Sequence, residues 1–206
     1  MIHFTDITGL AGVASAITTT LLTLPAIARL FKPYRAILLG AVFVLVLIPF
    51  AGMPVAAYLR GVTGDLSITT LVLLWCALLK PWLDSSMLSD TRTSYTLLTL
   101  VALTALALYP MALGVGAFDP YRLGYGDPLF VSVLLLITLV AWSWKYTLIA
   151  LCIALATLAW SINWYESGNL WDYMLDPFVS IYALAAVMID ALKAILQRGR
   201  PRHLQG

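Results

Sequence analysis

Two arginines and a small set of carboxylates carry most of the chemistry this sequence could perform. In the stretch AAYLRGVTGDLSITT, Ala56 to Thr70, Arg60 and Asp65 stand five residues apart with Gly61 and Gly64 beside them. In GVGAFDPYRLGYGDP, Arg122 lies among Asp119, Tyr125 and Asp127. A guanidinium presents a planar fork of donors that matches phosphate or carboxylate, and neighbouring glycines let a ligand approach the backbone. A third stretch, NWYESGNLWDYMLDPF, sets Glu166, Asp172 and Asp176 beside Trp164, Tyr165, Trp171 and Tyr173. Carboxylates among aromatic rings suit a sugar or a hard cation, and paired acids can do general acid and base work. The candidates are therefore Glu166, Asp172 and Asp176 for catalysis, and Arg60, Asp65, Asp119, Arg122, Tyr125 and Trp171 for ligand binding.

Several of these residues also have plain structural duties. Asp65, just after Gly64 and before an apolar run, is placed to cap a helix N-terminus. Asp127 before Pro128 reads as an N-cap followed by the first helical residue, and Asp119 before Pro120 as a turn start. Asn169 can cap a short interfacial helix with Asp172 at its third position, and Pro177 marks where the last apolar run begins. Arg122 has no such duty.

Other chemistries lack their residues. The two histidines, His3 and His203, stand near the ends of the sequence, and Cys76 and Cys152 lie inside apolar runs without metal-binding or redox spacing. We expect no metal and no cofactor. The formal charge is +2, and no basic stripe with interleaved aromatics appears, so nucleic acid is not an expected partner.

The elements that must position these groups are membrane helices. Of 206 residues, 62% are hydrophobic and 11% charged, and the mean hydropathy is +0.93. Long apolar runs recur along the whole length, which predicts an all-α, polytopic helical bundle forming a single integral membrane domain over residues 1–206. Seven spans are expected: 7–30, 36–59, 66–83, 96–118, 129–144, 146–165 and 178–196. The first lacks the basic start of a secretory signal and reads as a retained helix. The second contains IPFAGMPVA, whose two prolines and glycine must interrupt it and could frame a cavity. The fifth is short for a hydrocarbon core about 30 Å thick.

Orientation follows from the cations. With the N-terminus outside, only Arg60 and Arg122 of the twelve lysines and arginines fall on the outer side. Asp190 and Lys193, three apart near the inner end of the last span, should pair with each other. Short connections would bring Arg60, Arg122 and the third acidic loop to one outer rim.

These features lead us to expect an integral protein of a plasma membrane, the bacterial inner membrane. It would carry an outer-face site for an anionic head group, and handle or help to modify an envelope lipid, glycolipid or lipid-linked sugar. Its partners would be that lipid and another membrane protein. The competing readings are an assembly or scaffold subunit and a small-solute transporter. The sequence leaves open whether the chain catalyses a reaction.

Overall fold

The computed structural model describes residues 3–30, 34–80 and 91–198. The end of the third apolar run, the loop after it and the basic tail from residue 199 lie outside the described residues.

Apart from one two-residue strand pairing, the regular structure among the described residues is helical, as the apolar runs predict. Helix α1 spans Phe4–Thr23 and stops at Leu24, whose extended backbone precedes Pro25. The proline lacks the N–H that would continue the ladder, so the first run resumes as a separate helix, α2, Pro25–Leu30. Helix α3 follows over Arg35–Leu47.

The second run is not one helix. A miniature hairpin interrupts it: β1, Pro49–Phe50, pairs antiparallel with β2, Met53–Pro54. At the tip Ala51 and Gly52 have φ of 53° and 99°, the left-handed backbone that tight hairpin turns require. Helix α4, Val55–Thr63, then continues along α1. Two prolines thus do more than kink the run. The hairpin faces outward, with Phe50 and Met53 exposed, and its residues line neither of the two cavities described below.

Helix α5 covers Ile68–Leu79 and α6 covers Thr91–Ala112. A 3₁₀ turn, Pro120–Gly124, leads into α7, Pro128–Ser143, and α8, Thr147–Ser161. The short α9, Leu170–Met174, precedes α10, Pro177–Arg198. Three helices end alike. After α6, α7 and α8 the chain enters left-handed backbone at Gly114, Lys145 and Asn163, and two N–H groups turn back onto the last turn: Gly114 to Met111 and Val115 to Pro110 after α6, and the equivalent pairs after α7 and α8.

Packing is centred on three apolar clusters. Leu97, Val101, Leu148, Cys152, Val179 and Ala183 join α6, α8 and α10. Leu134, Ala156 and Leu170 join α7, α8 and α9. Val13, Ala14, Val46 and Ala56 hold α3 and α4 against α1, where small side chains permit close approach. Two helical segments, Thr91–Ala112 and Pro177–Leu196, are long and apolar enough to cross a membrane; Arg35–Leu47, Ile68–Leu79, Pro128–Ser143 and Thr147–Ser161 are shorter apolar helices.

Candidate functional site

The loops expected to share one rim do meet at one end of the bundle, and Arg60 is the knot that joins two of them to the start of α1. Its guanidinium grips Asp65 with two parallel bonds, Nε to Oδ1 at 2.6 Å and Nη2 to Oδ2 at 3.0 Å. Nη2 also donates to Glu166 Oε1 at 3.2 Å, and Nη1 lies 3.5 Å from Asp6 Oδ1. One cation therefore ties α4, the loop before α5, the loop after α8 and the start of α1. The Asp65 bond and the nearby carboxylate charges raise the Arg60 pKa further above its already high value. Asp6 is held below the ordinary carboxylate value, first by the His3 backbone N–H, which donates at 2.9 Å, and then by Glu166 and Arg60.

Gly9 makes this arrangement possible. A Cβ there would overlap Asp65 Oδ1 and stand 2.5 Å from Arg60 Cζ and Nε. The glycine whose absence of side chain matters is thus on α1, and neither Gly61 nor Gly64 would bring a Cβ within 4 Å of another group.

Asp65 is not the cap of α5. Ser67 is, accepting from the Thr70 N–H at 3.2 Å. Asp65 is instead drawn to the nearest cation, since a bidentate charge-assisted pair is stronger than a cap bond. The other caps fall where expected. Asp119 accepts from the Tyr121 N–H at 3.0 Å, Asp127 from Phe130 at 2.8 Å and Asn169 from Trp171 at 2.9 Å. Asp176, which precedes Pro177, caps α10 by accepting from Val179 at 2.9 Å.

Behind the Arg60 knot lies a chamber of about 250 Å³. Its walls include Asp65, Asp172 and Asp176, together with Tyr109, Tyr121, Tyr165 and Trp171. Asp172 accepts both contacts of the Tyr121 hydroxyl, at 2.9 and 3.0 Å, and a further bond from Ser167. Burial, then the Asp172 bond and charge, push the Tyr121 phenol well above its ordinary value, so it remains a donor. Asp176 is buried and accepts from the Ser67 N–H at 2.8 Å and the Thr70 hydroxyl at 2.5 Å. Tyr165 is 2% exposed, and its hydroxyl has no hydrogen-bond partner.

The 3₁₀ turn is fastened over α9. Asn169 Nδ2 donates to Tyr121 O at 2.9 Å and the Trp171 indole N–H to Pro120 O at 3.0 Å. Gly124 permits this approach, because a Cβ there would come 2.7 Å from Asn169 Cγ and 2.8 Å from Trp171 Cδ1. Trp171 also packs on Phe130, and the exposed Tyr125 meets Tyr121 edge to face at 5.9 Å. Arg122 is exposed on this turn, with no partner among the described residues.

A second, larger cavity runs beside the chamber. This groove, about 910 Å³, lies between α1, α5, α6 and α10 and is walled mainly by apolar side chains such as Val13, Ile17, Leu73, Leu98 and Phe178. It reaches from Leu59 and Thr63 of α4 to Lys80 and Thr91 at the opposite end. Thr70 lines the groove, and its hydroxyl bonds Asp176 of the chamber, so the two spaces share a wall.

The structure thus brings Asp65, Asp172, Asp176 and Trp171 to one chamber and sets Glu166 on its outer approach. Asp119, Arg122 and Tyr125 sit on or beside the covering turn. Reading the sequence alone missed the participation of Asp6, Ser67, Thr70, Tyr109 and Tyr121. Among the described residues, no group of three or more histidines, cysteines or carboxylates could hold a metal ion. Neither the known family models, the curated proteins nor the solved structures contain a match to this chain, so what the site can do is argued from its own geometry.

Proposed function

We propose that the protein is a seven-pass integral protein of a plasma membrane, the bacterial inner membrane, with its N-terminus outside, and that it holds a membrane lipid by its hydrocarbon chains. The observation that carries this reading is the apolar groove: a space of about 910 Å³, walled mainly by hydrocarbon side chains, whose neighbour is a smaller chamber lined by three aspartates and several aromatic rings. Ligand sites of this kind are mainly apolar with a few placed polar groups at one end. Large outward-facing side chains support the membrane setting, among them Leu135, Leu136, Leu139, Ile181 and Met188.

The head group would meet the outer loops. Arg60 supplies little to it directly, since Asp65, Glu166 and Asp6 already surround its fork. Arg122, exposed on the 3₁₀ turn, is the outer cation left to meet a phosphate or carboxylate. Handling such a lipid, by presenting it or helping to modify it, is the role this arrangement fits.

The test is retention of lipid through purification. Protein extracted in mild detergent should carry a defined lipid detectable by mass spectrometry. Ala77 is an exposed wall residue of the groove, so Ala77→Trp fills that space without disturbing the core and should strip the lipid. Unchanged retention in Ala77→Trp, or a stoichiometric protein in place of lipid, would overturn the reading, and the second result would favour an assembly subunit.

A further inference from the structure

We infer that the groove has a second mouth at the inner membrane face, where it seats an anionic phospholipid with its head group on Lys80. This assignment rests on the proposed reading of the groove as a hydrocarbon site and adds an inner mouth to the outer one. The groove wall follows α5 from Leu66, just before the helix, to Lys80, just after it. The 12 residues of α5 rise about 18 Å at about 1.5 Å each, more than the roughly 15 Å of one leaflet of a 30 Å core. A hydrocarbon chain anchored beside Lys80 therefore stays within the groove over the depth of its own leaflet.

Charge selects the occupant. Lys80 is the single charged side chain among the described residues that wall the groove, and among the described residues no carboxylate pairs with it. The hydroxyls divide in the same sense. At the outer end Thr63 donates to Leu59 O at 3.0 Å and Thr70 bonds Asp176, whereas at the inner end Thr91 and Ser94 bond nothing among the described residues. A hydrocarbon wall ending in one cation is complementary to an amphiphile with hydrocarbon chains and one anionic end. The lysine stem can lie along apolar surface while its ammonium offers three donors to a phosphate. Basic positions between membrane helices on the cytoplasmic side take anionic head groups, and Lys80 lies on that side in the proposed topology. A choline head group would bring its own cation against Lys80, so the charge on the wall discriminates between phospholipids.

Arg122 stands at the other end of the bundle, beyond the far end of α6 from Thr91. A lipid held there and one held on Lys80 come from opposite leaflets, and they are told apart by the cation each needs.

The experiment offers the full chain in detergent an equimolar mixture of dioleoyl phosphatidylglycerol and dioleoyl phosphatidylcholine, and counts what is retained by native mass spectrometry. Phosphatidylglycerol should be retained in preference. Lys80→Gln should cut that preference about fivefold while the melting temperature holds, because the side chain pairs with no carboxylate among the described residues. Lys80→Arg should keep it. Lys145→Gln removes an exposed cation from the turn between α7 and α8, on the same membrane face but away from the groove wall, and should leave the preference as it is. Equal retention of the two lipids, or an equal fall in Lys80→Gln and Lys145→Gln, overturns the inner mouth and leaves the hydrocarbon site standing. A preference that survives Lys80→Gln overturns it too, and its loss in Arg122→Gln would then place the head group at the outer turn. A fatty acid or a protein retained in place of both phospholipids overturns the assignment, and a chain that retains nothing removes the groove reading along with it.

Discussion

Replacing Gly9 with alanine should break the rim, and the size of the effect can be worked from the geometry. The new methyl carbon would overlap Asp65 Oδ1 and stand 2.5 Å from Arg60 Cζ and Nε, so the pair must leave its place against α1. The two side chains are 17% and 20% exposed, which makes this a partly buried pair. Pushed outward it becomes a surface ion pair worth about 0–1 kcal/mol, whereas charge-assisted bonds in place contribute about 1.5–3 kcal/mol each before solvent screening. A loss of about 3 kcal/mol is the screened difference. Against it stands the gain from removing a glycine inside a helix, roughly 0.5–1 kcal/mol. The net destabilisation is then about 2 kcal/mol, or about 4–8 °C in melting temperature for a chain of this length. Gly40 in α3 is the internal control, because a Cβ there meets nothing within 4 Å. Gly40→Ala should show the helix gain alone. Thermal unfolding of both variants by tryptophan fluorescence reads the contrast, and in an Arg60→Ala, Asp65→Ala background Gly9→Ala should become as harmless as Gly40→Ala. If Gly9→Ala melts as high as Gly40→Ala in the native background, the ion pair does not rest on α1 and the description of the rim is wrong.

Ser67→Ala should cost about 1 kcal/mol as the loss of a helix cap, with no such cap penalty for Asp65→Asn, and paired melting curves separate the two assignments. Asn169 is fully buried and bonds both Tyr121 O and the Trp171 N–H, so Asn169→Ala should lose about 2–3 kcal/mol, more than an ordinary cap; a loss under about 1 kcal/mol would mean the 3₁₀ turn is not fastened there. The proposed topology predicts that, with Cys76 and Cys152 replaced, single cysteines at the exposed positions Val62 and Val115 react with impermeant thiol reagents on intact cells. One at exposed Trp144, in the turn between α7 and α8, should not react, and the reverse pattern would invert the protein in its membrane.

Much of the fold was legible because its signals are local. Caps at Asp119, Asp127 and Asn169 follow from short acceptors before helical runs, and Pro177 begins its helix as the X-Pro rule requires. The pairing of Asp190 with Lys193, at 3.4 Å, follows from helical spacing alone. The hairpin inside the second run was legible only as an interruption. Its prolines announce that a helix cannot continue, but choosing a hairpin over a kink depends on Ala51 adopting left-handed backbone, which alanine does not advertise. Ser67 over Asp65 was likewise undecidable locally, since both residues can cap and only the position of Arg60 sets them apart.

The site was half legible for a related reason. Arg60 stood out because a cation on the outer side runs against the distribution of the other charges, and the fold accounts for it: Asp6, Asp65 and Glu166 come from segments far apart in sequence and converge on it. An arginine that looks available for a ligand in one dimension is thereby occupied in three. Behind it Asp172 and Asp176, read from the sequence as candidate catalytic acids, share a chamber wall with tyrosines from α6, the 3₁₀ turn and the loop after α8. No spacing rule links Tyr109, Tyr121 and Tyr165, because only the meeting of one helix with two connections places them together. Whether a charged group is free to meet a ligand is therefore a tertiary property here: the linear pattern points to an anion on Arg60, and the assembled pattern surrounds that guanidinium with three carboxylates of its own chain.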